Sequence, residues 1–144
     1  MSEHYRALAY GVAADAHRKQ TRKLFADNRQ PQPYIEHPIA VAEAVANIPA
    51  LVPIALMHDV LEDNPEEYPE SRLRAMFPDW IVDRVVALSR IPGEEYDIFI
   101  LGTMQDEGTR LVKVADIRDN LKDLKSGSLR DKYRLALRVM GEQP

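Results

Sequence analysis

Apolar residues recur at helical spacing along nearly the whole chain, and no stretch alternates as a half-buried strand requires. Tyr5, Leu8, Ala9, Val12 and Ala16 repeat at threes and fours, predicting a first helix that Ser2 could cap. The polar segment from Asp27 to Glu36 carries two prolines and reads as a loop. Pro38 suits the first turn of a second helix, with Ile39, Ala42, Val45 and Ala46 on one face. A third helix is predicted from Pro53 to Asp63, stopped by Asn64-Pro65. Helices around Glu70 to Phe77 and Pro78 to Arg90 follow, and Tyr96, Phe99, Ile100 and Met104 mark another. Thr109 is placed to cap the next, whose apolar face runs from Leu111 to Leu124. Gly127-Ser128 separates it from a last helix bearing Leu129, Tyr133, Ala136, Leu137 and Met140. The pattern predicts an all-α fold, a compact bundle of seven or eight helices.

The third helix poses a physical problem. Ile54, Ala55, Leu56, Met57, Val60 and Leu61 surround it with apolar side chains, so it belongs in the core. It nevertheless carries His58, Asp59, Glu62 and Asp63. Buried carboxylates are costly unless cations, hydrogen bonds or cleft water receive them. In a regular helix His58 faces Glu62 and Asp59 faces Asp63, while His58 and Asp59 diverge by about 100°. A divalent cation held between them would answer the charge problem. His37, just before Pro38, and Asp116, isolated in the apolar run Leu111 to Leu121, are further candidate ligands. Two imidazoles and two carboxylates make a mixed site suited to Mn, Fe, Co or Zn more than to Ca or Mg. The plainer alternatives are a helix cap for His37 and a buried ion pair of Asp116 with Lys113 or Arg118.

Composition narrows the function classes. The 144 residues suffice for one domain, expected to span 1–144, and 45% apolar with 29% charged residues is a globular balance. Nineteen Lys and Arg against 23 Asp and Glu leave a formal charge of −4, which argues against nucleic acid or an anionic membrane as partner. With no cysteine, thiolate metal sites, disulfides and a Cys nucleophile are excluded. The first residues lack a signal-peptide pattern, and the apolar stretch Ile48 to Met57 is too short to span a bilayer, so the expected location is the cytoplasm. One local basic feature stands out on this acidic chain. If the first helix continued, Arg18 with Arg22 and Lys19 with Lys23 would share a face, readable as an anion site or as a solvated helix end.

Four motifs in order carry a resemblance: Gln20-Thr21-Arg22-Lys23; Pro33-Tyr34-Ile35-Glu36-His37-Pro38; His58-Asp59-Val60-Leu61-Glu62-Asp63; and Lys113-Val114-Ala115-Asp116 with Asn120-Leu121. Together they resemble the HD-superfamily hydrolase domain of the RelA/SpoT homologues, most of all its stand-alone small alarmone hydrolases. The resemblance implies a helical fold with one divalent metal, usually manganese, with zinc, cobalt or iron as alternatives. It also implies removal of the 3′-pyrophosphate of guanosine tetra- or pentaphosphate, giving GDP or GTP. Carried over, it makes His37, His58, Asp59 and Asp116 metal ligands and Glu62 and Asp63 the catalytic pair, which would orient water and manage the leaving group's proton. Arg22, Lys23, Asn120 and Tyr133 become substrate contacts.

The chain also departs from the family pattern. Asn64 stands where Thr usually follows the Glu-Asp pair, and Leu129, with Arg130 after it, stands where an Arg is frequent. The chain ends at Pro144, short of the usual hydrolase domain, and carries no synthetase domain. These departures keep two rivals in view: a phosphohydrolase acting on another nucleotide such as NADPH, and a nucleotide-binding regulatory domain without turnover. The expected partner is a small nucleotide, and homo-oligomerisation is left open.

Overall fold

The predicted periodicity becomes nine α-helices among the described residues of the computed structural model, residues 2–22 and 31–144. They are α1 (Ser2–Ala16), α2 (Glu36–Ala44), α3 (Val52–Met57), α4 (Val60–Asp63), α5 (Glu70–Met76), α6 (Asp79–Ala87), α7 (Tyr96–Thr103), α8 (Glu107–Leu121) and α9 (Ser128–Val139). No strand occurs among the described residues; a single antiparallel bridge pairs Thr21 with Pro33. The all-α expectation therefore holds, and the eight predicted segments become nine because the third divides.

Two apolar clusters organise the helices. The larger gathers Ala9, Val12 and Ala13 of α1, Val41 of α2, Ile54 and Met57 of α3, and inward residues of α5 and α6. The smaller joins Phe99 and Ile100 of α7 to Ala136 and Leu137 of α9. Helix α8 belongs to both: Val112 and Ala115 face the first cluster, Val114 and Ile117 the second. Side chains such as Ile54, Met57 and Ile117 are fully buried, each contributing roughly 1.5–3 kcal/mol of transfer free energy. A helix packed on two sides holds its remaining residues rigidly, and Asp116 is one of these.

Several boundaries differ from the pattern-based expectation. Helix α2 starts at Glu36, so Pro38 falls inside its first turn, where a missing N–H leaves no hydrogen bond unmade. The cap of α8 is Asp106, not Thr109: its carboxylate accepts from the Thr109 amide at 2.9 Å and the Thr109 hydroxyl at 3.0 Å. Arg84 grips the same carboxylate with two nitrogens at 3.0 and 3.1 Å, tying α6 to the start of α8. Beside this cap α8 runs close to Leu51, and a Cβ on Gly108 would lie 2.9 Å from that side chain. Glycine leaves that space to the Leu51 side chain.

The division of the third helix has a local cause. His58 Nδ1 donates to the carbonyl of Ala55 at 2.6 Å, occupying the acceptor that the Asp59 amide would use in an uninterrupted helix. Asp59 then takes φ −104° and ψ −1°, and the chain restarts as α4 with Asp59 at its N-cap. Across the restart the Asp63 N–H still donates to the Asp59 carbonyl at 2.9 Å, so Asp59 and Asp63 remain one turn apart as expected.

Candidate metal centre and active site

Four side chains from three parts of the fold converge. One potential ligand atom from each of His37, His58, Asp59 and Asp116 lies within 4.8 Å of all the others. His37 comes from the first turn of α2, His58 and Asp59 from the α3–α4 break, and Asp116 from the middle of α8. His37 Nε2 lies 2.8 Å from Asp116 Oδ1, and His58 Nε2 lies 3.3 Å from that oxygen and 3.1 Å from Asp59 Oδ2. Both imidazoles and the Asp116 carboxylate are almost wholly buried.

The outer nitrogens and oxygens of the cluster are engaged by the protein. His58 Nδ1 is held by the Ala55 carbonyl, and His37 Nδ1 lies 2.7 Å from Asp119 Oδ2. Each ring thus turns its Nε2 inward, as a ligating histidine must. Asp116 gives its second oxygen to Lys113 Nζ at 2.7 Å, and the Tyr34 hydroxyl donates to Asp59 Oδ2. The ion pair of Asp116 with Lys113 is therefore present alongside the cluster, whereas Arg118 instead reaches Glu142 at 3.1 Å.

Electrostatics follow from this packing. Burial alone would lower the basicity of His58, but the neighbouring charges of Asp59 and Asp116 outweigh it and raise its pKa well above the ordinary range. His37 moves the same way: burial pulls it down, and hydrogen bonds to Asp116 and Asp119 push it up further. Burial likewise opposes ionisation of Asp116, yet Lys113 and His58 hold its pKa far below normal. Two neutral imidazoles with two carboxylates form a donor set whose charge matches a dication. The residues present fit a divalent metal.

Asp59 and Asp116 of the cluster line a cavity of about 270 Å³. Gln20, Arg22, Tyr34, Asn120 and Tyr133 line it with Lys113, and Glu62 and Asp63 stand at its mouth. Glu62 accepts from the backbone N–H of Arg90 at 2.6 Å, and Asp63 accepts from Gln20 Nε2 at 3.0 Å. Both carboxyls reach solvent but share an acid-crowded recess. Their pKa values are raised, chiefly by partial burial and then by the charge of Asp59 for Asp63, while for Glu62 the Arg90 amide partly opposes the rise. Among the described residues the cavity wall holds Asp59, Glu62, Asp63 and Asp116 against Arg22 and Lys113. A polyphosphate would be repelled by this wall until a cation is bound.

The basic face expected on α1 is corrected. Helix α1 ends at Ala16, and the backbone beyond it pairs with the segment leading to α2, the Arg22 N–H donating to the Gln32 carbonyl at 2.8 Å. Arg22 is buried, not a solvated helix end: it reaches Asp123 at 2.8 Å, Asn120 Oδ1 at 3.0 Å and Asp119 at 3.1 Å. Arg18 points elsewhere, pairing with Glu67. Lys23 lies outside the described residues. Of the departures, Asn64 donates to the Ala16 carbonyl at 3.1 Å and bridges α1 to α4, while Arg130 caps the Leu124 carbonyl away from the cavity.

Sequence reasoning assigned no role to Asp119, Tyr34 or Gln20. Asp119 had a usable signal, since it lies one turn beyond Asp116 on α8 and therefore shares its face. Tyr34 and Gln20 sit in irregular segments whose side-chain directions no periodicity gives.

The chain thus presents an all-helical fold in which a buried His/Asp cluster that could hold a divalent metal lies beside an acid-lined cavity. No family model matches the chain. It is 34% identical over 141 residues to the bifunctional (p)ppGpp synthase/hydrolase SpoT of Escherichia coli K12, covering 88% of this chain and 19% of that protein. It is 32% identical over 127 residues to a guanosine-3′,5′-bis(diphosphate) 3′-pyrophosphohydrolase of Aquifex aeolicus, covering 81% of this chain and 17% of that one. The chain spans about a fifth of the length of these curated relatives. Among solved structures, a metazoan orthologue of SpoT that hydrolyses ppGpp superposes with a TM-score of 0.73 at 22% identity, covering 94% of this chain and 83% of that one. Over most of its length the chain is therefore homologous to a part of proteins named SpoT and (p)ppGpp 3′-pyrophosphohydrolase, and it shares the fold of the metazoan orthologue.

Proposed function

We propose that this chain is a metal-dependent phosphohydrolase that removes the 3′-pyrophosphate from guanosine tetra- or pentaphosphate, yielding GDP or GTP. The observation that carries the reading is the convergence of His37, His58, Asp59 and Asp116 under a cavity rimmed by Glu62 and Asp63. The names of its relatives as (p)ppGpp 3′-pyrophosphohydrolases support the substrate class.

His37, His58, Asp59 and Asp116 would hold one divalent ion, for which manganese suits the mixed nitrogen and oxygen donors. Such an ion, when bound, lowers the pKa of water and polarises a phosphoryl oxygen. The residues of the chain do the rest. Glu62 and Asp63, with raised pKa values, are suited to accept a proton from attacking water and to return one to the departing 3′ oxygen. Lys113 balances Asp116, so the carboxylate keeps one oxygen for the centre. Asn120 and Tyr133 offer polar atoms to the nucleotide from α8 and α9, and Arg22 and Lys23 complete the substrate side. The 144 residues act as one cytoplasmic domain on a small nucleotide, with nucleic acid outside its range. Among the described residues no helix is long and apolar enough to cross a membrane.

The deciding experiment incubates the purified protein and manganese with guanosine tetraphosphate, NADPH and GTP separately, and identifies products by phosphorus NMR. Pyrophosphate and GDP from the tetraphosphate are expected. Preferential dephosphorylation of NADPH would reassign the substrate, and binding without turnover of any nucleotide would make the chain a regulatory module.

A further inference from the structure

His17 is a buried histidine outside the metal cluster, 2% exposed, and its Nε2 has no hydrogen-bond partner. Its other nitrogen, Nδ1, lies 2.8 Å from Gln20 Oε1. The Gln20 amide nitrogen in turn donates to Asp63 Oδ2 at 3.0 Å. The polarity of this chain follows from donor chemistry. A carboxylate only accepts, so Gln20 must offer Asp63 its NH₂ and turn its carbonyl oxygen to His17. That oxygen also only accepts, so His17 must carry a proton on Nδ1, and in the neutral ring this leaves the buried Nε2 as an unpaired acceptor. An unpaired buried acceptor is disfavoured. Here it marks a tautomer imposed from the Gln20 side.

The surrounding backbone makes Gln20 a firm base for such a contact. Its N–H donates to the His17 carbonyl at 3.0 Å, and its carbonyl accepts from the Tyr34 N–H at 2.9 Å. The His17 ring also packs on Tyr34 with centroids 4.8 Å apart, and Tyr34 donates to Asp59. One buried imidazole thus sits behind two of the acids of the site. We propose that His17 and Gln20 are positioning residues that fix the direction of the Asp63 carboxylate for its proton transfer. This rests on the reading of Asp63 as part of the hydrolytic pair. Asp63 is the last residue of a four-residue helix and its carboxylate reaches solvent, so the Gln20 contact is a support from outside its own helix that limits its rotamers. Misplacement of a reacting group by about 1 Å costs on the order of a hundredfold in rate.

Asparagine can place an N–H near the position of histidine Nδ1, whereas glutamine places its polar atoms near Nε2. In the manganese-loaded full chain with guanosine tetraphosphate, Gln20→Ala and His17→Gln are expected to lower kcat by about ten- to a hundredfold with KM within about twofold. His17→Asn is expected to stay within about twofold of native. Asp63→Asn should lose at least as much, and adding Gln20→Ala to it should cost nothing further. Independently of turnover, nitrogen-15 NMR of the metal-free protein should find His17 as the Nδ1–H tautomer, becoming mixed in Gln20→Ala. Native kcat in Gln20→Ala and His17→Gln while Asp63→Asn is impaired would overturn the brace alone. An Nε2–H tautomer in the native protein would overturn it even if every variant were unstable. Native turnover in Asp63→Asn would instead remove the catalytic reading of Asp63.

Discussion

His58 Nε2 lies 3.1 Å from Asp59 Oδ2, although the two residues are neighbours that a regular helix would turn about 100° apart. The contact exists because the His58 ring takes the Ala55 carbonyl and interrupts the helix between them. The break then places an imidazole and a carboxylate on one centre, opposite His37 and Asp116. Adjacent residues become a bidentate pair through a local loss of helical hydrogen bonding.

Removing the carboxylate from α8 should disable metal binding. Asp116→Ala deletes one of the four proposed ligands and strands the Lys113 ammonium, whose pKa burial lowers and Asp116 raises. Manganese affinity by calorimetry should fall by about 10²-fold or more, beyond what outer-shell changes cause. The melting temperature should drop as well, because an uncompensated buried charge remains. Stoichiometric native-affinity binding would refute the ligand assignment.

The contact behind His37 predicts a smaller effect at a residue no motif singled out. Asp119→Ala frees His37 Nδ1 and should weaken manganese binding roughly 10–100-fold. Arg22→Lys removes the planar fork that reaches Asp119, Asn120 and Asp123, so it should lower metal affinity as well as raise KM for a purine nucleotide. A KM change with native metal affinity would place Arg22 wholly on the substrate side.

Glu62→Gln should separate chemistry from stability. Turnover should fall by about 10²-fold with metal content retained. In the metal-free protein, the Glu62 carboxyl is raised above its ordinary 4.5, first by burial. A raised carboxyl supports the fold below its unfolded pKa, and that support is lost as pH rises through the folded value. The variant should therefore melt higher than the native protein near neutral pH, with the difference vanishing toward pH 4. Melting curves across that range check the sign.

The α8 cap carries the opposite pH signature. Asp106 is lowered from 3.8, first by Arg84 and next by the Thr109 amide, so its contribution is present above the unfolded pKa and lost as pH falls through the folded one. Asp106→Ala should cost about 1 kcal/mol at neutral pH, and Asp106→Asn, which keeps the cap, less. Both differences should fade in acid. Equal losses in the two variants would show that the Arg84 pair, not the cap, holds this end.

Helix content and the core-facing residues were legible from spacing, because burial of an amphipathic face is a local property that repeats along the chain. The same periodicity exposed His58, Asp59, Glu62, Asp63 and Asp116 as polar residues in apolar surroundings, with His37 as a further candidate ligand, and the ordered motifs added the roles and the substrate contacts. Spacing could not reveal the break after Met57, since a side chain competing for one carbonyl leaves no trace in an apolar pattern. Nor could it place Arg22, which was read on a helix that ends six residues earlier, at Ala16. Sequence by itself determined the helices, the core and the kinds of ligand available. Tertiary structure alone decided which atoms meet. His37 Nε2 and Asp116 Oδ1 are 79 positions apart in the chain yet 2.8 Å apart in space, because α2 and α8 pack together and burial away from water makes each buried polar group seek its partners within the protein.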